Sequence, residues 1–182
     1  TAPSGRLRHH IHHGMRIVAR EPTRAAGWQA VCVILPQVRD PRLVTIRRGG
    51  TLTDIDHQQL ARWAAACAEH VLHLFEAQEP AEPRPRQAIE AARAWVEGRM
   101  KMTQARAAGG HAMGAARPLR DAARFAAYAA GQAACVGHVP EHELGAAAYA
   151  IKAARAADPS SAKAGRVERE WQRRPLPAPI RD

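Results

Sequence analysis

Aromatic residues make up only 4% of this 182-residue chain: four Trp, two Tyr and two Phe. β-sandwiches and parallel-sheet enzymes use aromatic and β-branched side chains in quantity, so this scarcity argues against both. Cysteine is equally sparse. Cys32, Cys67 and Cys135 are odd in number and far apart, which makes neither a disulfide framework nor a zinc-ligand pattern. No run of about 18 apolar residues occurs, so no membrane-spanning helix is expected. Residues 1–35 hold Arg and one short apolar run, Ala30 to Leu35, without the ordered charged start, apolar centre and small-residue cleavage site of a secretory signal. These absences set the expectation of a cytoplasmic, reduced setting. Catalytic signatures are missing too. No Gly-x-x-x-x-Gly-Lys or Gly-x-Gly-x-x-Gly loop is present to cradle a nucleotide phosphate, and no Gly-x-Ser-x-Gly elbow to present a nucleophile. Neither an enzyme nor a bound cofactor is predicted.

Alanine fills the space that those residues leave. It accounts for 41 of the 84 apolar residues, which together are 46% of the chain. Ala has the best helix propensity and no side-chain entropy to lose, so helices that approach closely are expected. Lysine is scarce: Lys101, Lys152 and Lys163 accompany 24 Arg, a bias that a GC-rich coding sequence produces together with the Ala load. The formal net charge of +10 points towards a polyanion such as nucleic acid. Its distribution qualifies that reading. Residues 1–50 hold nine Arg against Glu21 and Asp40, a net of +7, while residues 51–182 hold eighteen basic and fifteen acidic residues, a net of +3.

The chain therefore divides into a basic, largely disordered N-terminal extension, residues 1–50, and a helical domain, residues 51–182. The extension has little to bury and carries the cluster His9, His10, His12 and His13, which reads as a solvated tail rather than a metal site. Within it, Trp28 to Leu35 is a candidate strand, and Leu43 to Ile46 its only candidate partner; two such pieces make a marginal hairpin at best. The chain opens at Thr1 without Met, and Met15 is the only early one, so part of residues 1–40 is expected to lie upstream of the domain. From Thr53 the periodicity becomes helical. Leu60, Trp63, Cys67, Val71 and Leu74 recur at steps of three and four behind a Thr53–Asp56 cap, ending before Pro80. A second helix starts around Pro85 and closes at Gly98. A third, Thr103 to Arg117, is weakened by Gly109–Gly110, and Pro118 separates or kinks it from a fourth that runs to Val136. A fifth begins near Pro140 and stops at Asp158–Pro159, and a last polar helix capped by Ser160 or Ser161 ends near Arg174. The fold class is all-α: a compact bundle of five or six Ala-rich helices.

Few constellations carry chemistry. His70, His73, His111, His138 and His142 would be the ligands of a metal-dependent helical enzyme, but bundle metal sites want Glu-x-x-His units and only the reversed spacing occurs. Arg84, Arg86, Arg93 and Trp95 on the second helix are the candidate partner-binding residues, because Arg and Trp anchor protein interfaces; the alternative is that these Arg pair with Glu82, Glu90 or Glu97. Lys101, Arg106, Arg117, Arg120 and Arg124 would line a phosphate groove, with only Phe125 and Tyr128 near them to stack on bases.

The run RLVTIRRGGTLTDIDHQQLARWAAACAEHVLHLFE, then RPRQAIEAARAWVEG, AARFAAYAAGQAACVGHV and HELGAAAYAIKAARAA, and WQRRPLP near the end, resembles the bacterial putative immunity protein family over Arg42 to Asp182. Members of that family have also carried an exonuclease-subunit label, which no ATPase motif or heptad run supports here. The resemblance implies an all-α cytoplasmic protein that binds and neutralises a cognate toxin, with that toxin as its protein partner. The mildly basic domain argues against a nuclease reached by acidic mimicry of nucleic acid. Nucleic acid remains the alternative partner, through the basic N-terminus. Any salt-dependent DNA affinity is expected to reside there, and to vanish when the chain is shortened to begin near Leu43, as measured by anisotropy at stepped salt.

Overall fold

The computed structural model describes residues 38–176. The His9–His13 cluster, Cys32 and the candidate strand at Trp28 to Leu35 lie outside the described residues, as do residues 177–182. Six α-helices follow one another: α1 (Asp54–Glu76), α2 (Arg84–Val96), α3 (Met102–Ala115), α4 (Asp121–Cys135), α5 (His142–Ala157) and α6 (Ala164–Arg173). There is no strand among the described residues, and the all-α expectation holds.

Local chemistry sets these boundaries. Thr53 Oγ1 accepts from the Asp56 amide at 3.1 Å, which satisfies one of the orphan donors that open α1. Its hydroxyl also donates to Asp56 Oδ2 at 2.6 Å. Leu60, Trp63, Cys67 and Val71 are buried as their spacing predicts, but Phe75 rather than Leu74 completes the stripe. Further burial of Ala61, Ala64, Ala65, Ala68 and Leu72 reflects packing of α1 against α2, α4 and α5 together. Helix α2 has Pro85 in its first turn, where a missing amide proton costs nothing, and Gly98 just beyond its end takes a left-handed φ of 71°. Pro118 lies in the link between α3 and α4, so it separates two helices and does not kink one. Helix α6 begins at Ala164, and Ser161 Oγ accepts from the Lys163 amide at 3.3 Å ahead of it.

The core centres on α4, which touches α1, α2, α3 and α5. Its buried residues are Ala123, Ala126, Ala127, Ala129, Ala130, Gly131, Gln132, Ala133, Ala134 and Cys135. Small side chains let neighbouring axes come close, and two glycines take this furthest. A Cβ added to Gly109 of α3 would lie 2.6 Å from the Gly131 carbonyl oxygen of α4. The Gly109–Gly110 pair, expected to weaken α3, sits inside an unbroken helix because close packing against α4 compensates for its low propensity.

Helix α6 is attached differently. Trp63 Nε1 donates to the Gln172 carbonyl at 2.8 Å, and Gln172 Nε2 donates to Glu168 Oε1 at 2.8 Å and to the Ala147 carbonyl at 3.2 Å. His70 Nδ1 lies 2.7 Å from Glu168 Oε2, and its ring stacks on Trp171 at 3.7 Å. Glu168 and Gln172 are only 4% and 3% exposed, so the inner part of this polar latch is shielded from water, while His70 at its rim is exposed. It covers the small apolar cluster of Trp63, Cys67 and Ala147.

The segment ahead of α1 folds back on itself. Single 3-10 turns at Pro41–Leu43 and Ile46–Arg48 flank one bridge, Thr45 to Leu52, closed by Ile46 N to Leu52 O and Leu52 N to Val44 O at 3.0 Å each. Leu43 to Ile46 thus forms turns and a lone bridge where a strand piece was expected. Arg39 ties the segment to the bundle through a bidentate ion pair with Glu141.

Helix propensity alone ranks Ala above Gly by up to about 1 kcal/mol. Close packing reverses the sign at Gly109. The substitution Gly109→Ala is expected to destabilise the protein by about 1–3 kcal/mol in urea unfolding, because the new methyl meets a backbone oxygen that cannot rotate away.

Candidate partner-binding cleft

A cleft of about 480 Å³ opens where the Arg39–Arg48 segment meets the start of α1, the end of α2, and the link between α4 and α5. Its lining includes Arg39, Arg47, Arg48, Asp54, His57, Trp95, Gly137 and His138. Close approach again sets the geometry. A Cβ on Gly137 would lie 2.7 Å from Cε2 of Trp95, so only glycine lets the α4–α5 link run against that indole. The His57 ring packs on the same indole, with centroids 5.0 Å apart and planes tilted by 59°. His57 Nε2–H donates to the Val136 carbonyl at 2.7 Å, which places the proton on Nε2. Burial pushes the His57 pKa below its usual value, so the ring is neutral at physiological pH.

His138 is also held in its neutral form, first by burial and then by the neighbouring charges of Arg106 and Arg48. Its Nδ1 is buried without a hydrogen-bond partner among the described residues. Two of the lining cations are engaged: Arg39 with Glu141, and Arg47 with Asp54. Arg48 has no carboxylate partner among the described residues and carries its charge at the cleft edge.

A family model for Imm-5 like putative immunity proteins matches residues 50–179. The chain belongs to this family. The match spans all six helices, and membership points to an immunity-type role. No curated protein and no solved structure matches. No helix among the described residues is long and apolar enough to cross a membrane.

In this immunity-family fold, the residues singled out on α2 are divided between two places. Trp95 lines the cleft; Arg84, Arg86 and Arg93 do not. Arg84 pairs with Glu82, its Nε 2.7 Å from Oε1, beside the start of its own helix. Arg86 and Arg93 reach across to Glu76 and Glu69 of α1, stapling the two helices together. The histidines are dispersed as well. His70 belongs to the α6 latch, His73 Nδ1 sits 3.1 Å from the His70 carbonyl, and His111 is exposed. His142 Nδ1–H donates to Gln132 Oε1 at 2.7 Å inside the bundle, where burial pushes its pKa down to about 4. No three His, Cys, Asp or Glu side chains among the described residues converge to hold a metal ion. Of the phosphate-groove candidates, Arg124 donates to the Tyr128 hydroxyl at 3.3 Å and lies over that ring.

The cleft residues that the sequence reading passed over are Arg39, Arg47, Arg48 and His57. The first three fell within the presumed extension. Their visible signal is the Pro41 turn and the Gly49–Gly50 pair, which mark residues 40–52 as folded chain.

Next to the cleft, Glu141 and Glu143 have opposite fates. Glu141 is neutralised by Arg39. Glu143 in the first turn of α5 is fully buried, and neither carboxyl oxygen has a hydrogen-bond partner among the described residues. Burial pushes its pKa up from 4.5 to about 8; the nearby amides of Glu143 and Leu144 oppose this without completing a hydrogen bond. The folded protein thus holds this proton to higher pH than the unfolded chain does. The contribution to stability is complete below about pH 4.5, declines as pH rises, and is gone above about pH 8. Glu143→Gln keeps the shape and never ionises. Urea midpoints measured from pH 5 to 8.5 are expected to fall less steeply in this variant than in the wild type, with the gap between them widening as pH rises.

Proposed function

We propose that this protein is a non-catalytic binding protein of the immunity type, which neutralises a cognate bacterial toxin by direct contact in the cytoplasm. The observation that carries this reading is the family match, which covers the whole helical body. Immunity proteins act in general by occupying a toxin, and a rigid, close-packed bundle suits that role because little conformational entropy is lost on binding. The lining residues of the described clefts bring no nucleophile, base and oxyanion donors together. That supports recognition in preference to turnover.

Arg84, Arg86, Arg93 and Trp95 divide in this reading. Trp95 belongs to the cleft, while Arg86 and Arg93 tie α2 to α1, Arg84 pairs with Glu82 ahead of its own helix, and all three present their remaining donors to solvent. With a net charge of +3 over residues 51–182, the body favours an acidic toxin surface over a basic one.

The test is co-expression with a toxin encoded beside this gene. Growth is expected to be restored by the wild-type chain, and the two proteins are expected to co-purify as a stoichiometric complex. Failure of every neighbouring toxin candidate to bind, with no protection of growth, would falsify the reading.

A further inference from the structure

The cleft holds a charge imbalance that the fold does not require. Three guanidiniums, Arg39, Arg47 and Arg48, face one lining carboxylate, Asp54. Arg39 donates its Nε and Nη2 protons to Glu141, which does not line the cleft, and Arg47 donates to Asp54 through Nη2. An arginine has five donor protons in a fixed fork, so Nη1 of Arg39 and Nε and Nη1 of Arg47 stay uncommitted among the described residues. The two carboxylates orient these side chains without exhausting them. Arg48 is exposed and has no such partner among the described residues. Its charge reaches His138, whose Nδ1 is buried without a hydrogen-bond partner. Unspent donors and an uncompensated cation at one concave place are what a carboxylate recognises.

Two further observations decide between classes of anion. The Trp95 indole is half-buried, with the Gly137 backbone and the tilted His57 ring against it, so less of it is open for a base to stack on than in a free aromatic platform. Ile46 and Ile55 are 61% and 69% exposed, and each adjoins a cleft residue in sequence, Arg47 and Asp54 respectively. Exposed aliphatic side chains beside Arg are characteristic of a protein-binding surface, whereas a phosphate backbone would leave them in water.

We propose that this cleft receives an Asp or Glu side chain of a protein partner, with Arg48 as its main counter-charge and with Ile46 and Ile55 covering the apolar surface around it. This deepens the immunity reading and rests on it for the partner's identity, but the chemistry is testable without the toxin.

The probe is a fluorescein-labelled hexaglutamate peptide, titrated by anisotropy against the full chain at low salt. Hexalysine, a six-nucleotide oligo(dT) and inorganic phosphate are the comparison ligands. Arg48→Glu lies on an exposed turn, and Arg62→Glu, on an exposed α1 position outside the cleft, controls for the loss of general positive charge. Hexaglutamate affinity is expected to fall about tenfold in R48E and less than twofold in R62E, with unchanged thermal unfolding in both. The ring signals of His138 are expected to move on adding hexaglutamate and not on adding hexalysine. No measurable hexaglutamate binding, or equal losses in R48E and R62E, would overturn the proposal. A loss in R48E as large for oligo(dT) as for hexaglutamate would overturn it in favour of a phosphate-backbone site. Displacement of hexaglutamate by equimolar phosphate would overturn it in favour of a free-anion site. Absence of toxin protection with cleft binding intact removes the immunity reading alone; protection that survives R48E undiminished removes the cleft from toxin recognition.

Discussion

Everything in this fold depends on how closely four helices can approach α4. That helix is buried along almost its whole length by residues no larger than Ala, apart from Gln132 and Cys135. Ala buries little apolar area, so its stabilisation comes from dispersion contacts between near-touching backbones rather than from large side chains in a broad core. The largest fully buried side chains lie outside α4: Leu60, Leu72 and Phe75 on α1, and Ile89 on α2. A core of this kind has little slack. Close-packed interiors resist added volume, and here many of the contacting atoms are backbone, which has no rotamer to change.

The same constraint builds the cleft. Gly137, two residues past the end of α4, lets the link to α5 lie on the Trp95 indole, which lines the cleft. The walls are then supplied by a segment that is not helical at all. Residues 39–50 are held by one bridge, two tight turns and the Arg39–Glu141 pair, so the charged groups around the cleft are positioned by a small loop fastened to a rigid body. Recognition residues on a loop positioned by a packed scaffold are a common economy, since the scaffold pays the ordering entropy. At the opposite extreme, α6 is docked through a largely buried polar latch whose parts each need a partner. Such a network adds specificity of position more than net energy.

The helices were legible because their signals are local. The Thr53 cap, the three-and-four spacing from Leu60 to Val71, Pro85 at a first turn and Gly98 at an end each act within a turn or two of chain. Trp95 was legible as a notable residue but not as part of this site. Its role depends on Gly137 and His57, which are remote in sequence. Arg86 and Arg93 beside it on α2 were legible as charges, but their carboxylate partners on α1 lie ten and 24 residues away, beyond any local rule, whereas Arg84 pairs with Glu82 only two residues away. The segment from Arg39 to Gly50 was hardest to read, because a bridge and two single turns leave no periodicity.

The sequence by itself determined that this is an all-α protein, where its helices begin and end, and to which family it is similar, because propensity, capping and punctuation act over a few residues. It also determined that the positive charge is concentrated ahead of the helical body. Only the tertiary structure decided that Gly109 is a contact point and not a weakness, and that Glu143 is sealed in while Glu141 finds Arg39. It also decided that three arginines from an apparently featureless stretch share one cleft with Trp95. These outcomes turn on distances between atoms separated by tens of residues, and such distances exist only once the chain has packed.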